Sequence, residues 1–328
     1  MKAIVYTKYG SPDVLALKKV EKPIPKDDEI LIQVQAAATN AADWHMMRGE
    51  PFLARLSFGL FKPKNPILGI DIAGRIEAIG KNISEFKTGD EVYGGCGWGG
   101  AYAEYVCAKE SNIVLKPANA TFDEAAAVPV SALTALQGIR NKGKIQAGQK
   151  VLINGASGGV GTFAVQIAKS FDTEVTGVCS TAKLEMTRSI GADYVIDYTK
   201  EDFTKNDKHY DLILDVVGNR SVSDYMRALT PNGSCVIVGF TSMRLLLHHM
   251  FKGKWVSKPG KKQVGLMETV QINKEDLTFM KELIEAEKVK PVIDRRYPLT
   301  DVAEAIRYLE KGHARGKVVI TMEHNYRT

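Results

Sequence analysis

A doubly wound parallel α/β sheet joined to a β-rich unit is the fold class that this 328-residue sequence predicts, and three observations predict it. The run Val151-Leu152-Ile153 is apolar without alternation, as in a strand buried on both faces. Directly after it stand Gly155-Ala156-Ser157-Gly158-Gly159-Val160-Gly161 and then the helical stretch 163–169. Beyond that point strand-like and helix-like runs alternate with short connections, the pattern of repeated βα units.

The elements follow in order. Residues 1–6 read as a strand, and residues 30–34, 72–79, 91–93, 102–106 and 113–115 are short strand-like runs punctuated by Gly, Pro, Asn and Asp. Residues 125–136 read as helix, with Pro129 as a boundary or kink. Strands are expected at 151–153, 175–179, 194–196, 212–217 and 235–238, and helices at 163–169 and 184–190. The tail changes style again, with a strand over 292–299, a helix over 302–311 and a last strand over 317–321.

The chain is longer than the roughly 250–300 residues over which one core keeps growing, so more than one domain is expected. The style changes put the divisions at 1–122, 123–265 and 266–328, with the last segment returning to the first domain. Hydrophobic residues at 45% and charged residues at 25% exclude a disordered chain. There is no apolar signal region at the start and no run of about 18 apolar residues, so the expectation is a cytoplasmic protein with no membrane span.

Cys96, Cys107, Cys179 and Cys235 are far apart and form no Cys-x-x-Cys pair, which points to buried thiols and away from a structural metal site. The net charge of +6 is concentrated: Arg244, Lys252, Lys254, Lys258, Lys261 and Lys262 lie between Thr241 and Met267 with no acid among them. A general nucleic-acid surface is therefore not expected. The basic segment 244–262 reads as a lid, a subunit contact, a peripheral contact with anionic lipid, or a loop with snorkelling lysines.

A pyrophosphate needs backbone N–H groups at close range and the positive end of a helix dipole. Gly158 and Gly161 hold the second and third glycine positions of the dinucleotide fingerprint, and Ala156 departs from the first. Ala156, Ser157, Gly158, Gly159, Val160 and Gly161 are thus the expected phosphate cradle of a Rossmann domain. At the end of the second strand, Ser180, Thr181 and Lys183 stand where a carboxylate would select an unphosphorylated ribose. Two hydroxyls and an ammonium favour NADP, unless Lys183 only faces solvent.

Asn40-Ala41-Ala42-Asp43 with Arg48-Gly49, the segment 68–74, the segment 99–105, residues 125–134 and Gly155 to Gly161 occur in an order that resembles the medium-chain dehydrogenase/reductase superfamily, and within it the zinc-independent quinone oxidoreductase branch. The resemblance implies a GroES-like β-rich catalytic domain around the Rossmann domain, and a homodimer. It places Asn40 and Thr134 at the substrate and nicotinamide end, Tyr198 near the adenosine phosphate, and Val217, Gly239 and Phe240 on strand ends bordering the cofactor. Zinc enzymes of that superfamily carry a cysteine where Asn40 stands and a histidine where Ile70 stands, so no metal is expected. His45 takes the place of a substrate-pocket tyrosine, and two readings stand: a proton donor to a reduced carbonyl, or a locally packed histidine.

Without a Lewis acid, hydride transfer suits quinones and conjugated enones, whose reduced forms delocalise charge. The expected function is an NADPH-dependent reductase of small-molecule quinones or α,β-unsaturated carbonyl compounds. An enoyl-thioester reductase and a non-catalytic NADP-dependent binding protein are the alternatives.

Overall fold

The computed structural model describes residues 1–241, 244–245, 249 and 262–323. Most of the basic segment 244–262 lies outside the described residues. The chain forms two compact units: Met1–Ser131, Ile272–Glu287 and Pro291 onward make the first, and Ala132–Gln271 with Lys288–Lys290 the second.

In the first unit, β1 (Lys2–Val5) pairs with β2 (Ala16–Lys19) as an antiparallel ribbon. The main sheet takes β3 (Glu29–Ala38), β4 (Asp71–Ile79), β5 (Glu91–Gly95), β6 (Tyr105–Lys109), β7 (Ile113–Leu115), β14 (Ile293–Pro298) and β15 (Lys317–Thr321). Its order is β14-β15-β3-β4-β5-β7, with β6 also on β3. The strand expected over 102–106 begins only at Tyr105, because Tyr102 is turned into the core and its amide N–H donates to Leu68 O. Ile30, Ile32, Val34, Ile72, Ile76 and Ile320 form the middle of this core. The last strand therefore completes a sheet begun by the third.

Helix α1 (Ala41–Arg48) follows β3 directly, and Gly49 ends it in the left-handed conformation at φ 64°. A short helix α2 (Arg55–Phe58) follows. Of the two expectations for Pro129, a boundary or a kink, the structure has the boundary: α3 (Phe122–Ala126) ends before it and α4 (Pro129–Leu136) starts at it, since proline cannot donate within a helix. Thr121 caps α3 with a reciprocal bond to Glu124.

The second unit carries β8 (Lys150–Asn154), β9 (Glu174–Cys179), β10 (Tyr194–Asp197), β11 (Tyr210–Asp215), β12 (Leu229–Ile237) and β13 (Gln263–Leu266). All pairings are parallel, in the order β10-β9-β8-β11-β12-β13. The crossover helices include α5 (Gly159–Ser170), α6 (Leu184–Ser189) and α7 (Val222–Ala228). This is the Rossmann order, and its direction reverses between β8 and β11. Ligands bind outside the carboxyl ends of the strands at such a reversal. No helix among the described residues is long and apolar enough to cross a membrane.

Helix α8 (Lys274–Glu285) belongs to the first unit, where the Tyr93 hydroxyl donates to Leu277 O at 2.6 Å. Helix α9 (Val302–Glu310) lies between the last two strands in sequence and buries Val302, Ala305 and Ile306.

Candidate active site

Asn40 lies two residues after β3 as the N-cap of α1, and its side chain is held inside the first unit. Its Nδ2 donates to Asp71 Oδ2 at 2.9 Å, and its Oδ1 accepts from Lys317 Nζ at 2.6 Å and from Ser131 Oγ at 3.3 Å. Lys317, only 2% exposed, also donates to Asp71 Oδ2 at 3.2 Å, Thr39 O at 3.1 Å and Ser131 Oγ at 3.0 Å. Asp71 is fully buried, and its Oδ1 accepts from the Val130 amide at 2.9 Å. Burial raises the Asp71 carboxyl above its usual range, against the opposing pull of the Lys317 ammonium. The carboxamide of Asn40 is thus fixed in one orientation by residues from β4, β15 and α4.

Three residues into α1, Asp43 Oδ2 accepts from the Asn40 amide at 2.7 Å and from the Tyr102 hydroxyl at 3.0 Å. Its other oxygen is buried with no hydrogen-bond partner, and burial pushes the carboxyl up to about 7. His45, half-buried, stacks on Trp44 at 3.6 Å between ring centroids. Burial lowers its pKa, against the opposing pull of the Glu50 and Glu310 carboxylates. Thr134, also buried, lies on α4 in the second unit.

In the second unit, α5 begins at Gly158 with no side-chain cap, leaving the first-turn N–H groups to an outside acceptor. The glycines here have separate duties. A Cβ on Gly161 would lie 2.0 Å from Gly155 O, whereas one on Gly158 would meet nothing closer than 3.7 Å. Gly161 lets the helix start against the strand, and Gly158 leaves open space in front of the N–H groups. Ala156 and Ser157 are buried beneath the turn.

Opposite that turn, Asp215 closes β11. Its Oδ1 accepts from the amides of Val217 and Gly218 at 2.8 and 2.7 Å, and both oxygens accept from Asn154 Nδ2 at 3.1 Å. Gly218 has φ 65°, and a Cβ there would strike Gly239 O at 2.0 Å. The turns carrying Val217, Gly239 and half-exposed Phe240 are therefore packed backbone to backbone at the carboxyl edge of the sheet. Together these residues fit a dinucleotide: uncapped helix N–H groups, open space before them and a crevice at the strand reversal.

At the end of β9, Ser180, exposed Thr181 and Lys183 follow one another, and Tyr198 is 55% exposed after β10. An acid that the sequence reading did not place here stands among them. Asp197 ends β10 in register with Cys179 and accepts from the hydroxyls of Thr181 and Thr199. Those bonds, Thr181 first, hold its carboxyl below the usual range, and Lys200 Nζ lies 3.8 Å away. Its signal is register, since only the β9–β10 pairing brings Asp197 to Thr181.

The family model described as an alcohol dehydrogenase GroES-like domain matches residues 26–118, and that described as a zinc-binding dehydrogenase matches residues 190–320. A 2-methylene-furan-3-one reductase of Solanum lycopersicum is 37% identical, over 98% of this chain and 79% of its own. An NADPH-dependent alkenal/one oxidoreductase of Arabidopsis thaliana is 35% identical over the same shares. The solved quinone oxidoreductase of Coxiella burnetii superposes with a TM-score of 0.86 at 30% identity, over 98% of this chain and 99% of that one. The chain belongs to the quinone-oxidoreductase-like branch of the medium-chain dehydrogenase/reductase superfamily.

This reductase is an oxidoreductase that uses a nicotinamide cofactor. One expectation is corrected. Against the expected cytoplasmic location, several relatives are named chloroplastic or mitochondrial. Compartment is read by receptors from address segments, so composition and a folded core carry no information about it.

The zinc implied by one family description does not fit the residues of this reductase. Asn40 offers a carboxamide already bound to an ammonium and a carboxylate, and Ile70 offers only hydrocarbon. The Cys96 thiol donates to Ile70 O at 3.3 Å, and burial pushes its pKa up, against the thiolate that zinc requires. Among the described residues no group of three His, Cys, Asp or Glu could hold a metal ion.

Proposed function

We propose that this reductase transfers a hydride from NADPH to quinones or α,β-unsaturated carbonyl compounds. The observation that carries this reading is Asn40, fixed at both ends of its carboxamide by Lys317, Ser131 and Asp71. Its second Nδ2 hydrogen then serves as a preset donor for the carbonyl oxygen on which negative charge develops. The bound cofactor supplies the hydride.

Gly158, Gly159, Val160 and Gly161 hold the pyrophosphate, with Ala156 and Ser157 shaping the turn beneath it. Ser180, Lys183 and Tyr198 hold the adenosine phosphate, and Lys200 offsets the charge of Asp197. Val217, Gly239 and Phe240 border the nicotinamide half, and Thr134 faces the nicotinamide. His45 presents a ring N–H to the substrate, and the enolate takes its proton from water. The name of the Arabidopsis relative supports NADPH and the enone class, and relatives named quinone oxidoreductases support the quinone class. The protein works as a homodimer in an organelle.

A solved CurK enoyl reductase, with a TM-score of 0.85 at 25% identity, supports enoyl thioesters as a second reading. The test is a panel of a simple quinone, a small enone and an enoyl-CoA, each with NADPH and NADH. The expected result is turnover of the quinone and enone with a higher kcat/KM for NADPH. Preference for enoyl-CoA would move the reading to thioesters, and no oxidation of either cofactor would overturn it. Unchanged turnover in His45→Ala would remove His45 from the site.

A further inference from the structure

Between α1 and β4 the first unit carries an element whose polarity is inverted. Phe52, Leu53, Leu56, Leu60 and Phe61 are all exposed, Leu53 to 74% and Phe61 to 89%. Soluble surfaces scatter large apolar residues singly, so five within ten positions is a patch that needs a partner. The exposed positions 52, 53 and 56 follow helical spacing across the short helices of this segment, and Leu60 and Phe61 follow the non-helical Gly59 that ends them.

The inward face holds a cation. Arg55 Nε donates to Gly49 O at 3.0 Å, and its guanidinium lies 4.5 Å from the centre of the Tyr9 ring. Lys64 Nζ donates to Ser57 O at 3.1 Å, and the Tyr9 hydroxyl donates to Gly59 O at 2.5 Å. The Arg55 and Tyr9 bonds tie the segment to the body of the unit, the Lys64 bond closes it on itself, and its apolar side chains take no part in these bonds. The entropy of ordering the element is already met, which favours association.

We propose that residues 51–64 dock this protein on an anionic lipid surface. Charge favours that occupant: Arg55, Lys62 and Lys64 are the charged residues from Pro51 to Ile70, with no acid among them. Lysines beside an apolar tip let the hydrocarbon enter the headgroup boundary while the ammonium groups meet phosphate. Exposure favours it too. A wall of a concave small-molecule pocket would be sheltered, whereas Phe61 projects almost wholly into solvent, as suits a deformable partner. At the base of the patch Trp98, 55% exposed, packs on Phe58 with ring centroids 5.4 Å apart. An indole at that level matches the aromatic belt at a membrane interface.

The test is cosedimentation of the full chain, at low salt, with vesicles of phosphatidylcholine alone and of phosphatidylcholine with about one-third phosphatidylglycerol. Binding is expected to the anionic vesicles and to weaken with salt. Leu53→Ser/Phe61→Ser is expected to lower the partition coefficient about a hundredfold, and Lys62→Gln/Lys64→Gln about thirtyfold. Tryptophan emission should shift to the blue on binding, and this shift should be absent in Trp98→Phe. Unchanged thermal midpoints would show that the variants are folded. No sedimentation of the wild type with anionic vesicles would overturn the proposal, as would equal binding by both double variants. A light-scattering dimer lost in Leu53→Ser/Phe61→Ser, with unchanged lipid partition, would assign the patch to a second copy. An altered KM for the quinone with unchanged partition would assign it to substrate. Either result would overturn the lipid assignment.

Discussion

Replacing Lys317 by methionine keeps the length of the side chain and removes only the charge and its donors. Four acceptors lose a bond: Thr39 O, Asn40 Oδ1, Asp71 Oδ2 and Ser131 Oγ. Asp71 keeps Asn40 Nδ2 and the Val130 amide but becomes a buried carboxyl without a counter-charge. Breaking one side of a buried ion pair costs about 3–5 kcal/mol, or about 6–20 °C in the midpoint of a domain of this size. The loss depends on pH with a definite sign. Burial already raises Asp71, and removing the ammonium raises it further. A carboxyl raised on folding contributes stability below its unfolded pKa and loses it as pH rises through the folded value. Lys317→Met should therefore be closer to wild type near pH 5 than near pH 8, when followed by urea unfolding of the first unit. Asp71→Asn added to it should recover about half of the loss, because an amide oxygen can still accept from Val130. A single variant within about 0.5 kcal/mol of wild type at both pH values would refute the reasoning, as would a double variant no more stable than the single.

Gly161→Ala should destabilise the second unit by at least about 2 kcal/mol, since its Cβ meets a backbone oxygen at 2.0 Å. Gly158→Ala should leave the melting midpoint within about 2 °C and weaken NADPH binding about tenfold or more in a fluorescence titration, because its Cβ points into open space before the helix. Asp43 is raised on folding to about 7, so the wild type should lose stability from about pH 4 to 7 with a slope of up to about 1.4 kcal/mol per pH unit. Asp43→Asn should flatten that slope in thermal scans. Lys183→Ala should raise KM for NADPH about tenfold and leave NADH unaffected, while Asp197→Asn should narrow the gap between the cofactors in steady-state assays.

The parallel sheet was legible because β8 to β11 are apolar runs with glycine turns between them, a local signal. Strand β13 was not: Gln263-Val264-Gly265-Leu266 is four residues long with a glycine inside, and only pairing with β12 defines it. Helix α8 carried a usable signal in Asn273 as cap and Leu277, Met280, Leu283 and Ile284 on one face. In the site, Asn40 stood in a motif, but its partners did not. Lys317 reads as the charged first residue of the last strand, and its carboxylate lies 246 residues away. Nothing local distinguishes a buried ammonium from a solvated one. Asp197 was hidden for the same reason, one strand beyond the segment where a selecting acid is sought.

The placement of Lys317 on the last strand has a consequence for synthesis. When the ribosome has released Asn40, Asp71 and Ser131, the cation that orders them is still unmade, and it emerges 277 residues after Asn40. The intervening residues Ala132–Gln271 form a continuous stretch that can close its own parallel sheet while the first unit waits. A chain halted before β15 would leave Asp71 without its counter-ion and β3 without one of its three sheet neighbours. The network around Asn40 and Asp71 can therefore assemble only after β15 has been made, long after its other members.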